Sequence, residues 1–164
     1  MVARNMCRAI SELHILEIIH GDLSSENLMI DPKTCKVKLI DFDLSHKFGE
    51  SYSAAGNPDF INEDILNKIE ASKKIKATPA NDNYSLGICC FLVLGDVTKE
   101  YLASLSADAL SFKKRELLIN KQNFIGKAIV QKLLKNEITA IDASMKLHEL
   151  LLITGAADEM KEAK

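Results

Sequence analysis

Two short apolar runs fix most of what the first third of this chain can become. Leu28-Met29-Ile30 and Val37-Lys38-Leu39-Ile40 read as strands, and Asp31-Pro32-Lys33 between them reads as a turn. A hairpin brings the residues before its first strand next to those after its second. Here they are His20-Gly21-Asp22-Leu23-Ser24-Ser25-Glu26-Asn27 on one side and Asp41-Phe42-Asp43 on the other. Two carboxylates and an amide therefore face a common point. Hard oxygen donors in such a grouping suit magnesium rather than zinc, and suit a reaction in which a hydroxyl attacks a phosphoryl group.

The rest of the chain is patterned mainly for helices. Residues 3–19 repeat apolar positions at helical spacing through Met6, Ile10, Leu13 and Leu16. Residues 45–60 are small and polar, broken by Gly49, Gly56 and Pro58, and predict a loop longer than a plain connection needs. A short helix is expected from Glu63 to Ile69, then an exposed lysine-rich stretch to Pro79. Asn81-Asp82 are expected to cap the most apolar helix, Tyr84 to Leu94, which ends at Gly95. Further helices are expected over roughly 99–110, 111–120, 124–135 and 142–153. The organisation predicted is one folded unit, residues 1–153, followed by a charged flexible tail, 154–164.

Composition narrows the function classes. The 164 residues are 47% hydrophobic and 27% charged with net charge −2, which fits a globular domain with a real core. Basic residues are scattered, so no nucleic-acid partner is expected. The densest basic clusters, Lys73-Lys74-Ile75-Lys76 and Lys113-Lys114-Arg115, read as solvated faces. Four cysteines have neither disulfide-framework nor zinc spacing, and Cys89-Cys90 read as buried thiols of a reducing compartment. No secretory signal is visible and the apolar run Leu86 to Leu94 is too short for a bilayer, so a cytoplasmic protein without a membrane partner is expected.

Four elements in series then carry a family resemblance: H-x-D-L-x-x-x-N at His20–Asn27, D-F-x at Asp41–Asp43, G-x-P-x-x-x-x-E at Gly56–Glu63, and D-x-Y-S-L-G-I at Asp82–Ile88. In this order and register the chain resembles the carboxy-terminal lobe of the eukaryotic-type protein kinases. The resemblance implies a mainly α fold, a helical bundle with a small β-hairpin unit carrying the catalytic loop. It implies ATP and Mg2+ as cofactors and a protein substrate or a partner kinase. Asp22 matches the aspartate that takes or orients the proton of the substrate hydroxyl. Asn27 and Asp41 match the magnesium ligands, and Met29 on the first strand belongs with them in the nucleotide site. His20 and Phe42 match residues that pack the catalytic loop on the activation segment. Glu63 and Asp82 match structural carboxylates, Asp82 accepting hydrogen bonds from the catalytic-loop backbone.

Departures from the family pattern are equally specific. Gly21 stands where an arginine would receive an activation-loop phosphate, so ordering by a phosphate–arginine pair is not expected at Ser45, Ser51, Tyr52 or Ser53. Ser24 stands where serine/threonine kinases place a lysine near the transferred phosphate, and Asp43 replaces the glycine of D-F-G. The usual arginine partner of Glu63 is replaced in the region of Ala140 and Ile141. No G-x-G-x-x-G occurs in the sequence. The expectation is a carboxy-terminal lobe whose amino-terminal lobe is missing or separate, inactive alone. Two alternatives are a lobe-only pseudokinase acting as a protein-binding module, and a small-molecule phosphotransferase, which the His-Gly-Asp tripeptide also fits.

Overall fold

In the computed structural model the described residues are 1–98, 100–101 and 111–162. The first helix, α1 (Val2–Ile15), buries Ala3, Met6, Cys7 and Ile10 on one stripe, the i, i+3, i+4, i+7 spacing that its sequence carries. After β1 (Ile18–Ile19) the expected hairpin forms. Strands β2 (Leu28–Ile30) and β3 (Val37–Leu39) pair antiparallel, with Leu28 opposite Leu39 and Ile30 opposite Val37. Its turn is tied by the Asp31 carboxylate, which accepts from the Lys33 backbone N–H at 2.8 Å and from the Thr34 hydroxyl at 2.7 Å.

The stretch expected to be a loop contains two short strands. β4 (His46–Lys47) pairs with β1, and β5 (Ser51–Ser53) pairs with β6 (Lys74–Lys76), the latter inside the segment expected to be merely exposed. Both β5 and β6 alternate exposed, buried, exposed. Tyr52 and Ile75 point inward and join Ile19 and Ala77 in a small satellite core. Two- and three-residue strands rich in serine and lysine carry too little period to register in a sequence window.

Between them lies α2 (Glu63–Glu70), capped by Asn62, whose Oδ1 accepts from the Ile65 N–H at 2.9 Å. The central helix α3 (Pro79–Leu94) starts five residues before the expected Tyr84. Thr78 is its N-cap and Asn81 reaches back to it, accepting from the Thr78 N–H at 2.6 Å, while Pro79 takes the first helical position. Asn81 and Asp82 are thus inside the first turn rather than at the cap. The chain finishes with α4 (Ser111–Lys121), α5 (Lys127–Leu134) and α6 (Ala140–Glu162). The α6 helix continues past residue 154, where the tail was expected to begin. The helix expected over 99–110 lies almost wholly outside the described residues.

The main core is helix on helix: α1 packs on α6 and on α3, and α3 on α5. Ile10, Leu86, Ile88, Phe91, Val130 and Leu133 are fully buried there, each worth roughly 1.5–3 kcal/mol of apolar transfer. Cys7, Cys89 and Cys90 are buried free thiols within it, and burial pushes the Cys89 thiol up out of reach of ionisation. One expectation fails here. Arg115, read as part of a solvated basic cluster, is 1% exposed, whereas Lys114 beside it is exposed. No helix among the described residues is long and apolar enough to cross a membrane.

Candidate active site

The catalytic-loop segment, residues 20–27, is suspended from α3 by one carboxylate. Asp82 is 1% exposed, and its Oδ2 accepts from the His20 backbone N–H at 2.8 Å while Oδ1 accepts from the Gly21 N–H at 3.0 Å. The His14 ring, on the last turn of α1, donates through Nε2 to the same Oδ2 at 3.0 Å. Three donors from two elements converge on a buried anion, which satisfies it in the way burial of a charge requires. His14 was not singled out in the sequence, where it reads only as another helical residue.

The same end of the loop is also held by the His20 side chain. Its ring is fully buried, donates through Nε2 to the Ile40 carbonyl at 3.0 Å, and lies 5.0 Å from the half-exposed ring of Phe42. Its Nδ1 is buried without a hydrogen-bond partner. The His20 and Phe42 rings join the loop to the segment after β3.

Asp22 is held on both sides. Its Oδ1 accepts from the Asn57 backbone N–H at 3.1 Å. The Asn27 amide donates through Nδ2 to the Asp22 carbonyl at 2.8 Å and approaches Oδ2 at 3.4 Å. With Nδ2 so committed, Oδ1 is the atom of Asn27 left for a cation. The Asn27 carbonyl accepts from the Ile40 N–H at 3.1 Å, extending the ladder by one pair beyond Leu28–Leu39. Asp41 follows Ile40 directly, so its Cα lies within roughly 9 Å of that of Asn27, one paired spacing plus one residue. Asp41 is exposed and takes φ +63°, a left-handed conformation that aspartate tolerates better than most residues.

Among the described residues no three His, Cys, Asp or Glu side chains converge as a metal cluster. An amide oxygen and a carboxylate, the donors that Asn27 and Asp41 carry, are of the hard type that suits magnesium, which keeps several waters and takes few protein ligands. Met29 is 56% exposed on β2, and Ile30, which as the next strand residue projects to the opposite face, is 41% exposed. The residues that depart from the family pattern fall into place as well. Ser24 is buried, so its hydroxyl cannot stand in for a lysine at a transferred phosphate, and Asp43 is exposed to water. Gly21 has φ +79°, and a Cβ there would lie 2.1 Å from the Leu44 carbonyl oxygen.

Glu63 lies exposed in the first turn of α2, with no ion pair among the described residues. The buried base in this neighbourhood is Arg115 on α4. It donates through Nη1 to the Asp59 carbonyl at 2.6 Å and through Nη2 to the Pro58 carbonyl at 3.4 Å, and burial lowers its pKa. The Ser85 hydroxyl of α3 donates to the Phe60 carbonyl at 2.7 Å. Segment 57–60 is thus pinned by Asp22, Ser85 and Arg115, of which sequence reasoning named the first. Arg115 stands four residues before the buried Ile119, the one signal that its side chain shares an inward face.

Comparison with known proteins identifies the family. A family model described as the protein kinase domain matches residues 1–144. Myosin light chain kinase A of Dictyostelium discoideum is 26% identical over 144 residues, covering 79% of this chain and 47% of that protein. The human serine/threonine-protein kinase MRCK alpha is 33% identical over 105 residues, covering 61% of this chain and 6% of its own length. The chain therefore spans less than half of either relative. Among solved structures, the kinase PK-1 of Cydia pomonella granulovirus aligns with a TM-score of 0.48 at 19% identity, over 57% of this chain and 34% of that one.

Proposed function

The chain belongs to the protein kinase family, and from that premise we propose that its hairpin site takes part in ATP- and magnesium-dependent phosphoryl transfer to a serine or threonine hydroxyl of a protein. The observation that carries the proposal is the setting of Asp22. One carboxylate oxygen is fixed on the Asn57 N–H and the other is held only loosely by Asn27, so the second can take an incoming hydroxyl proton. Asn57 belongs to the segment that Arg115 and Ser85 hold, so the same bond aligns the base with the surface on which a substrate chain would lie.

Asn27 Oδ1 and the Asp41 carboxylate are the groups that would hold magnesium. When bound, that ion neutralises charge on the nucleotide phosphates. Met29 offers an exposed apolar side chain against which a base could rest. No G-x-G-x-x-G occurs in the 164 residues, so a cover over the nucleotide of the glycine-rich kind would have to be supplied by other residues, and without one the site is expected to turn over poorly.

A second reading, a protein-binding module, is favoured by the exposure of the apolar side chains Met29, Ile30 and Phe42, since exposed large apolar groups can mark interaction sites. One measurement separates the two. Titration with Mg-ATP by calorimetry and thermal melting should raise the Tm of the 164-residue chain, because a ligand that binds the folded state stabilises it. Asp41→Ala should abolish the magnesium-dependent part of that shift. No shift at millimolar Mg-ATP would remove the nucleotide reading and leave the binding module.

A further inference from the structure

We propose that two copies of this chain associate through the outer face of α6, their α6 helices parallel about a two-fold axis. The helix carries two apolar faces, and one of them is uncovered. Ala140, Ala143 and Leu147 are buried where α6 packs on α1 and α5, with Leu150 partly buried beside them. On the other side Ile141, Met145, His148 and Leu152 follow one another at spacings of four, three and four. At 3.6 residues per turn these four fall on one line, nearly opposite the buried set. Ile141, Met145 and Leu152 are 47%, 60% and 61% exposed, and His148 is exposed with them. That spacing is the one by which a helix receives a second helix along a seam. A helix that only covers a core is charged or polar on its outer side.

The charge on the two flanks of the stripe identifies the occupant. On the flank toward α1 stands Arg4. Its carbonyl accepts from the Ser144 hydroxyl at 3.3 Å, and its side chain lines an apolar hollow with Leu147, Leu151 and Thr154. On the other flank stand Asp142 and Glu149, both exposed. Asp142 is engaged by Thr139, whereas neither Arg4 nor Glu149 has an ion pair among the described residues. A two-fold axis along α6 lays the basic flank of each copy on the acidic flank of the other. Antiparallel pairing sets like-charged flanks together. Level agrees as well: Arg4 lies beside residues 147–154 of its own α6, the level at which Glu149 of the partner subunit stands in the parallel pair. Opposite charges so placed fix register and orientation between paired helices.

The contact is small. From Ile141 to Leu152 the stripe is roughly 16 Å long. Ile15, at the end of α1 and 70% exposed, borders the same hollow as Ala140 and Ile141 and widens the apolar surface at that end. Both helices are already held in their own cores, so pairing them costs no helix nucleation. A dissociation constant of about 10–100 µM is expected for an interface at the low end of the usual sizes. Nothing in this contact depends on nucleotide or on the hairpin site.

Sedimentation equilibrium of the 164-residue chain, from about 1 to 500 µM, reads the association directly. The mass should rise with concentration from that of one chain toward that of two. Met145→Glu, on an exposed side chain, should weaken dimerisation by about ten-fold or more, with an unchanged circular dichroism melt at low concentration. Arg4→Glu and Glu149→Arg should each weaken it roughly three- to ten-fold, and the two together should restore it. A chain that stays monomeric throughout, or that dimerises equally well with Met145→Glu, would overturn the proposal; in the first case the face receives a different protein. A double exchange that fails to restore dimerisation would overturn the parallel arrangement.

Discussion

Replacing Asp82 tests the most concentrated piece of the fold. Asp82→Ala strips the acceptor from two backbone N–H groups, those of His20 and Gly21, in a position where the donor residues are fully or half buried. An orphaned buried donor costs roughly 1–3 kcal/mol, so the pair gives about 2–6 kcal/mol before any relaxation. That is a large part of the roughly 5–15 kcal/mol by which a domain is stable. Asp82→Asn keeps one oxygen but turns an NH2 toward the other donor, and should cost roughly 1–3 kcal/mol. His14→Phe is the internal control: it removes one of three donors yet leaves both backbone bonds, and should cost about 1 kcal/mol. Urea melts at pH 7, read by circular dichroism with m-values compared across the variants, measure all three. A loss under 1 kcal/mol for Asp82→Ala, or a His14→Phe loss equal to it, would refute the idea that this carboxylate suspends the loop through its backbone.

Gly21→Ala should destabilise by roughly 2–5 kcal/mol, the left-handed backbone penalty plus displacement of the Leu44 carbonyl, measurable in the same urea melts. Arg115→Met keeps bulk but leaves the Asp59 and Pro58 carbonyls without these donors. A loss of roughly 1–3 kcal/mol is expected, with faster amide exchange at residues 57–61. With a complete kinase assembled around this site, Asp22→Asn should lower kcat by about 10²–10⁴-fold with the nucleotide-induced Tm shift retained. At the start of α6, the Asp142 carboxylate accepts from the Thr139 hydroxyl and N–H, which lowers its pKa. Its small contribution is thus present above the ordinary carboxylate value of about 3.9 and is lost as pH falls through the lower folded value, visible as a titration of the Thr139 amide signal.

Much of the site was legible because it is encoded locally. The hairpin needed only two apolar runs and a turn, and its open end carried Asn27 and Asp41 with it. Asp82 could be matched because its motif is contiguous with the apolar helix it belongs to. What escaped the sequence was encoded across distance. His14 takes its meaning from an aspartate 68 residues later, and Arg115 from carbonyls 56 and 57 residues earlier. A lysine-flanked isoleucine at 75 reads as surface until Tyr52 supplies the partner that buries it. The start of α3 was misread because Asn81, a strong cap by type, serves here as the third residue of a capping box that begins at Thr78.

The contact between Gly21 and Leu44 also gives this chain a history-dependent character. Arginine at position 21 is one amino-acid change away, yet the backbone there is closed by the Leu44 carbonyl against any side chain at all. Placing an arginine there would require the segment around Leu44 to shift first, and that segment is tied to the loop through His20, Ile40 and Phe42. The order of substitutions is therefore constrained: a permissive change near Leu44 must precede the arginine, and the reverse order passes through a destabilised protein.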